Sequence, residues 1–150
     1  MRTIWFDMDG TIANLYEVEN WLPKLRAEDP SPYMEAEVMC NMSQLARLLN
    51  RVQTLGYKVG IISWTSKGGS ASYNKAVAKA KASWLELHLK SVKFDEINIV
   101  SYGIPKATLM HTEDDILFDD ELKNREDWLG QAYEPQDIVK VLKALLGMEW

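Results

Sequence analysis

Two aspartates one residue apart, Asp7 and Asp9, directly follow the apolar run 4–6. Such a run can form a buried strand that delivers both carboxylates at its C-terminal end, where open α/β sheets bind their ligands. Two carboxylates at this place cost folding energy unless a cation or hydrogen bonds compensate them. Mg²⁺ suits the position because it takes oxygen ligands from one or two carboxylates and keeps waters for a phosphate. Gly10 then allows a sharp bend, and Thr11 offers a hydroxyl at the mouth of the site.

Taken alone, this motif also fits a solvated acidic turn or part of a calcium-binding loop. The calcium interpretation is weak because Ile12 stands where such a loop needs another oxygen ligand, and no glutamate follows at the required spacing. Whether the motif carries chemistry therefore depends on the partners that later segments supply.

Polar residues with suitable chemistry follow the later apolar runs. Ser63 ends the run VGII, Lys106 lies in the loop GIPKAT, and Asp119 and Asp120 end the run ILF. In a doubly wound sheet the carboxyl ends of the strands meet at one edge. We therefore expect two pairs of carboxylates, a hydroxyl and an ammonium around one small volume, which is suitable equipment for metal-assisted phosphoryl transfer.

The spacing of apolar residues predicts the elements that would position these groups. Strands are predicted at 3–7, 57–63, 97–101, 116–119 and 131–133. Helices are predicted at 14–27 with an interruption at Pro23, at 43–55 with Ser43 as the cap, at 73–88, and after Pro135. Loops are predicted at 28–33 and 65–70. The alternation implies an α/β fold with a doubly wound, parallel five-stranded sheet and helices on both faces. A length of 150 residues fits one domain, in which residues 12–42 form a small helical or loop cap insert.

Composition narrows the class of protein. The net charge of −5 does not favour a broad nucleic-acid-binding surface. Cys40 is the only cysteine, so no internal disulfide can form, and a reducing cytoplasm fits. No apolar run is long enough to span a membrane, and no signal-peptide pattern opens the chain. We expect a cytoplasmic monomer or weak dimer without a membrane partner.

The octet IWFDMDGT resembles the nucleophile motif, DxDx[TV], of the haloacid dehalogenase (HAD) superfamily, whose members are mostly phosphatases. The order Asp-x-Asp, Ser, Lys and acidic pair resembles this superfamily over residues 3–146. The resemblance implies the HAD-like Rossmannoid fold with a small or absent cap. Dehalogenases of the superfamily lack the second aspartate, so Asp9 favours hydrolysis of a phosphate ester.

The resemblance also implies roles for the acidic residues. Asp7 would attack phosphorus and form an aspartyl-phosphate. Asp9 would protonate the leaving oxygen and then activate water as a base. The side chains of Asp7 and Asp119 and the backbone carbonyl of Asp9 would hold Mg²⁺. Asp120 would bind the metal through water or orient its ligands.

For the other two positions the resemblance implies roles, and the residues leave alternatives. Ser63 would donate a hydrogen bond to a phosphoryl oxygen, with Thr65 as a competitor two residues later. Lys106 would offset the negative charge of the nucleophile and the phosphate. We prefer Lys106 to Lys90 and Lys93 because it lies between strands three and four.

The substrate is less readable than the reaction. The stretch GYKVGIIS…Y…W and the later FDD…W show a weaker similarity to deoxyribonucleotidases and to the 3′-phosphatase domain of polynucleotide kinases. This similarity suggests a nucleotide substrate or, against the net charge, a nucleic-acid end. The aromatic side chains that could stack on a base are Tyr16, Trp21, Tyr33 and Trp64. The predicted substrate-binding residues are Gly10, Thr11, Ser63, Trp64, Thr65, Lys67 and Lys106. A non-catalytic phosphate-binding or regulatory protein is the alternative from another class, and a phosphotransferase is a third.

Overall fold

Strands and helices alternate along the chain, of which the computed structural model describes residues 2–147. The elements in chain order are β1 (Thr3–Phe6), β2 (Ala13–Asn14), α1 (Trp21–Arg26), α2 (Ser31–Glu35), β3 (Glu37–Val38), α3 (Met42–Thr54), β4 (Lys58–Trp64), α4 (Ala71–His88), β5 (Glu96–Val100), β6 (Ile116–Phe118), α5 (Leu122–Asp127), β7 (Gln131–Tyr133) and α6 (Ile138–Leu145). Short 3₁₀ helices lie at Leu15–Glu17, Lys106–Leu109 and Pro135–Asp137.

Five strands form one sheet in the order β5-β4-β1-β6-β7, and every neighbouring pair is parallel. The predicted parallel five-stranded α/β fold is therefore confirmed. The chain leaves β1 for β4 and β5 on one side, then crosses back to β6 and β7 on the other. The direction of winding changes between β1 and β6, and in open α/β sheets the ligand crevice lies outside the carboxyl ends of such strands.

The central strand β1 is buried on both faces, and its side chains alternate between them. Ile4 and Phe6 belong to the main core, together with residues of the long helices α3, α4 and α6. Trp5 belongs to a smaller cluster on the opposite side, with Trp128 and side chains of the 3₁₀ helix Lys106–Leu109. Helical segments thus flank the sheet on both faces, but the long helices share one core.

The insert differs from its predicted secondary structure. The helix predicted over 14–27 with an interruption at Pro23 was wrong at its start, because Ala13–Asn14 pairs with Glu37–Val38 in a two-stranded antiparallel sheet. Pro23 lies within α1 and does not interrupt it. The left-handed backbone of Asn20, with φ of 59°, separates the 3₁₀ helix from α1. The predicted loop at 28–33 also overlaps the start of α2.

One further local prediction was wrong, and one helix was not predicted. Helix α3 begins one residue before Ser43, because the Asn41 side chain accepts a hydrogen bond from the Gln44 amide at 3.0 Å and caps the helix instead. Helix α5, which follows Asp119 and Asp120 in the chain, was not predicted.

The helices within residues 2–147 are all too short or too polar to cross a membrane.

The acid-rich segment before β6 combines exposed acids with a buried one. Glu113 and Asp114 are exposed, but Asp115 is fully buried. Its carboxylate accepts hydrogen bonds from the Thr3 amide at 3.0 Å and from Trp5 Nε1 at 3.0 Å. Burial opposes ionisation of Asp115, but the hydrogen bonds, the one from Thr3 first, hold its pKa below the usual value. Asp115 therefore ties the segment before β6 to β1.

Candidate active site

Three carboxylates meet at the carboxyl ends of β1 and β6. Asp7 follows β1, Asp119 and Asp120 follow β6, and one oxygen from each lies within 4.8 Å of the others. The backbone joins the two strand ends as well, because the Asp7 amide donates to the Phe118 carbonyl at 2.9 Å. The predicted convergence of these acids at one sheet edge is therefore what the fold produces.

Lys106 connects two of these acids. Its buried ammonium lies 2.8 Å from Asp7 Oδ1 and 2.7 Å from Asp119 Oδ2. The two lysines considered beside it, Lys90 and Lys93, are exposed. Burial lowers the pKa of Lys106, but the two carboxylates outweigh burial and raise it, so the side chain is held as a cation. The site thus contains a fixed positive charge against the first aspartate.

The acidic pair after β6 ionises with difficulty. Burial first, and then the negative charge of Asp7, raise the pKa of Asp119 to about 6, although Lys106 opposes the shift. Burial and Asp7 raise the pKa of Asp120 to about 8. Both carboxyl groups lack enough positive charge around them to ionise at their ordinary values.

A divalent cation fits this set of residues. Asp9 lies at the same sheet edge, so the site holds four carboxylates. Two ammonium groups, those of Lys106 and Lys81, pair with them. Fully ionised, these six groups carry two excess negative charges, the charge of one divalent cation. Burial first, and then the charge of Asp7, raise the pKa values of Asp119 and Asp120, and a bound cation would offset both effects. Carboxylate oxygens are the ligands that Mg²⁺ prefers.

Two residues after the second aspartate shape the loop. Gly10 has φ of +80°, a conformation that side chains with a Cβ rarely adopt, and a Cβ there would collide with the Asp120 carboxylate. Thr11 is buried, and its hydroxyl donates to Asp7 Oδ2 at 3.0 Å. Thr11 therefore orients Asp7 and is not at the mouth of the site, where the sequence placed it.

Asp9 contacts a lysine that the sequence did not indicate. Lys81 of α4 is 1% exposed, and its ammonium lies 2.8 Å from Asp9 Oδ2 and 2.8 Å from Ser63 Oγ. It also donates to the Trp64 carbonyl. Burial raises the pKa of Asp9 and Asp7 adds to the effect, while Lys81 opposes it. The raised pKa lets Asp9 carry a proton more readily than an ordinary aspartate.

The end of β4 contributes to the site in two ways. Ser63 is fully buried and accepts its hydrogen bond from Lys81. Trp64, Thr65 and Lys67 follow it and line the cavity above the carboxylates. Both hydroxyl candidates for phosphate contact, Ser63 and Thr65, therefore lie near the site, one beneath the cavity and one in its wall.

The cavity has a volume of about 410 Å³ and reaches from the carboxylates to the insert. The four aromatic residues named from the sequence, Tyr16, Trp21, Tyr33 and Trp64, all line it. Tyr102, which the sequence did not indicate, packs against Trp64 with ring centroids 4.9 Å apart. One side of the cavity is thus acidic, and the remainder combines aromatic side chains with leucines and a few polar or basic residues.

The sequence analysis missed two side chains that contact the carboxylates, Lys81 and Asn124. The sequence contained a signal for only the first of them. Lys81 follows Val77 by four residues and precedes Trp84 by three, so it falls on the buried face of its helix. A lysine on an apolar stripe was the available signal. Asn124, which donates to Asp119 Oδ2 at 3.2 Å, left no such signal because α5 itself was not predicted.

Among solved structures, the chain is similar to a D,D-heptose 1,7-bisphosphate phosphatase from Burkholderia thailandensis, with a TM-score of 0.62 and 14% identity over 97% of this chain and 99% of that one. It is also similar to the HAD domain of the effector protein Lem4 from Legionella pneumophila, with a TM-score of 0.48 and 14% identity over 97% and 94%. No family model and no curated protein matches the chain. The first likeness establishes a shared fold over nearly the whole chain.

Proposed function

We propose that this chain, which has the fold of the HAD superfamily, is an Mg²⁺-dependent phosphatase that hydrolyses a phosphomonoester through an aspartyl-phosphate. The observation that carries the proposal is the position of Lys106 between Asp7 and Asp119, beside Asp120, at the carboxyl ends of β1 and β6. A buried cation held against one carboxylate of an acidic cluster supports phosphoryl transfer, in which positioning and charge supply most of the catalysis.

In the first step a carboxylate oxygen of Asp7 attacks phosphorus, and the bond from phosphorus to the ester oxygen breaks. Thr11 and Lys106 hold the two oxygens of Asp7 in place. Asp9 gives a proton to the departing oxygen, a role that its raised pKa supports. Lys106 neutralises part of the charge on the nucleophile and the transferred group.

In the second step water attacks the phosphorus of the aspartyl-phosphate, and Asp9 takes the proton from that water. Asp7 is released as a carboxylate together with inorganic phosphate. Ser63 or Thr65 donates a hydrogen bond to a phosphoryl oxygen in both steps. The Ser63 hydroxyl proton is free for this purpose, because an ammonium such as Lys81 only donates and the serine oxygen must accept.

The metal would be held by the side chains of Asp7 and Asp119 and by the Asp9 carbonyl, with Asp120 as a ligand through water or an orienting acid. Bound there, Mg²⁺ would supply positive charge to the phosphoryl oxygens during transfer. Gly10 keeps the loop clear of Asp120, which the ligand set requires.

For the substrate we propose a phosphorylated small molecule with a flat ring, such as a nucleotide. The aromatic wall of the cavity supports a stacked ring, and Lys67 and Arg26 offer positive charge at the same cavity. The insert 12–42 would act as a small cap, because its side chains from Leu15 to Tyr33 form part of the wall. A phosphorylated nucleic-acid end stays a second candidate, and the cytoplasmic location and the monomer or weak dimer stay predictions.

The test is a phosphatase screen of the purified protein over nucleoside monophosphates, sugar phosphates, phosphorylated DNA ends and p-nitrophenyl phosphate. We expect turnover with Mg²⁺ and loss of turnover with a chelator. Asp7→Asn should lower kcat by at least about 10³-fold, since it removes the nucleophile. Asp127→Asn is the matched control, because Asp127 is an exposed aspartate in a surface ion pair on α5.

Two results would contradict the proposal. Turnover that survives in Asp7→Asn would exclude the aspartyl-phosphate. Binding of phosphate esters without turnover, at saturating Mg²⁺ and across the whole panel, would favour the non-catalytic alternative.

A further inference from the structure

Lys81 is a buried lysine without a part in the reaction steps above. Its side chain rises from the buried face of α4 and is 1% exposed. A buried ammonium is costly unless all of its donors are paired. Lys81 meets this condition with three acceptors, Asp9 Oδ2, Ser63 Oγ and the Trp64 carbonyl.

The acceptors of Lys81 belong to two different parts of the site. Asp9 follows β1, whereas Ser63 and Trp64 belong to the end of β4. The ammonium therefore fixes the distance between the group proposed to move the proton and the strand end proposed to bind the phosphate. It occupies Asp9 Oδ2 and leaves Asp9 Oδ1 for the ester oxygen. Tyr33 of the insert covers the ammonium, with the ring centroid 5.3 Å from Nζ.

Lys81 and Lys106 hold different aspartates. Lys106 contacts Asp7 and Asp119, and Lys81 contacts Asp9. A lysine that acted only on the overall charge of the site would not need a separate partner of this kind. The division assigns one ammonium to the nucleophile and the other to the proton carrier.

We propose, resting on the function proposed above, that Lys81 is a positioning residue that holds Asp9 in the orientation needed to protonate the leaving group and that fixes Asp9 relative to Ser63. An experiment can distinguish this positioning role of Lys81 from a general structural role, because protonation of the leaving group by Asp9 matters most when the leaving group is poor. An ester whose leaving group departs readily as an anion needs Asp9 little, whereas one whose leaving group is more basic needs it fully.

The experiment compares two esters of nearly the same size, p-nitrophenyl phosphate and phenyl phosphate, with Mg²⁺ present. The value kcat/KM reports the step in which the leaving group departs. We expect Lys81→Met to lower kcat/KM for phenyl phosphate by about 30- to 100-fold and for p-nitrophenyl phosphate by no more than about threefold, within the range that general acid catalysis contributes. Lys79→Met is the control, because Lys79 is an exposed lysine two residues away on the same helix.

A double-mutant cycle with Asp9→Asn locates the effect. If Lys81 acts through Asp9, Lys81→Met should lower kcat/KM for phenyl phosphate by no more than about twofold once Asp9 has been changed. Near-ultraviolet circular dichroism checks that each variant is folded. Lys81→Gln, which retains an N–H donor, replaces Lys81→Met in all comparisons if the methionine variant does not fold.

Equal losses on the two esters, or no loss on either, overturn the positioning role. Additive losses in the cycle overturn it too, because they would mean that Lys81 acts without Asp9. Absence of turnover of these two esters and of the whole screening panel by the unmodified protein would overturn the proposed function, and this inference with it. If the protein turns over only other esters of the panel, two of those with unlike leaving groups replace the aryl phosphates. Parallel losses in a protein that turns over both esters overturn this inference alone.

Discussion

At the residue scale, the main property of the site is its excess of negative charge. Asp7, Asp119 and Asp120 lie close together, and Lys106 neutralises only part of their charge. The remaining imbalance appears as raised pKa values, about 6 for Asp119 and about 8 for Asp120, caused first by burial and then by Asp7. A bound cation would neutralise the excess negative charge. Protons and the metal ion therefore compete for the same carboxylates.

This competition predicts that Mg²⁺ binds more tightly as the pH rises. Between pH 6 and pH 8.5, titration calorimetry should show the affinity rising by about tenfold or more, with protons released on binding at the lower pH. The metal-free protein should show the opposite trend in stability. Because the folded-state pKa values lie above the unfolded ones, these two groups favour folding at low pH, and that contribution is lost as the pH rises through about 6 and then about 8. An Mg²⁺ affinity that is constant over this range would contradict the prediction.

At the element scale, the loop after β1 and the segment before β6 set the positions of the acids. The loop turns back at Gly10, whose backbone must approach Asp120. The segment before β6 is tied to β1 by Asp115, which pairs with Thr3 and Trp5 and sits at the opposite end of the strands from the site. The strand ends are thus held in register from both sides.

Gly10→Ala should damage the metal site more than it damages the fold. The added Cβ meets the Asp120 carboxylate, so we expect Mg²⁺ affinity to fall by about tenfold, with a loss of stability of about 1 kcal/mol from the left-handed backbone. Gly147→Ala is the matched control, since Gly147 has φ of +69° and, among the residues that the structure describes, no atom within 4 Å of an added Cβ. Calorimetry and chemical unfolding separate the two effects. Equal Mg²⁺ affinities in the two variants would show that Gly10 serves only the turn.

Asp115→Ala should destabilise the protein without changing the site directly. It leaves the buried donors Thr3 N–H and Trp5 Nε1–H without their acceptor, at a cost of about 2 to 4 kcal/mol in the free energy of unfolding. Since the pKa of Asp115 is lowered in the fold, this difference from the original protein should shrink as the pH falls below about 4. Urea unfolding measures both, with the exposed neighbour Asp114→Ala as control. A loss below that of the control would mean that water replaces the acceptor.

At the scale of the whole molecule, the sheet supplies the carboxylates and the insert supplies much of the cavity wall. The insert packs onto α4 through Leu15, Tyr33, Tyr73 and Val77. Glu28 of the insert also accepts hydrogen bonds from the Ser70 amide at 2.9 Å and the Ser70 hydroxyl at 2.7 Å, at the start of α4. Because α4 also carries Lys81, one helix joins the insert to the edge of the sheet that carries the carboxylates.

Trp21→Ala should therefore change substrate binding and not the chemistry. Trp21 lies on α1, lines the cavity and packs edge-on against Tyr16, with ring centroids 5.1 Å apart. We expect KM for a nucleoside monophosphate to rise by about tenfold with kcat within about threefold, as the loss of one stacking contact implies. Leu87→Ala, an exposed change on α4 outside the cavity wall, is the control. An unchanged KM would exclude a ring stacked at this part of the wall.

The sequence alone determined the α/β alternation and the acids at the strand ends. Asp7, Asp9, Asp119 and Asp120 directly follow apolar runs, and parallel strands bring their carboxyl ends to one edge whatever the details of packing. Lys106 was also readable from its place after the third strand of the sheet. The positions of these residues depend on the local sequence pattern and on strand order. Their prediction therefore holds even where the predicted helix boundaries are wrong.

Only the tertiary structure decided which of the remaining polar groups reach the acids. Lys81 is one of several lysines in α4, and its contact with Asp9 exists because the helix turns that face toward the sheet. Within the insert, the short strands and the division into the separate helices α1 and α2 were not predicted, because these segments are held by pairing across 13–14 and 37–38 and by contact with α4. Such contacts join residues far apart in the chain, and local periodicity carries no record of them.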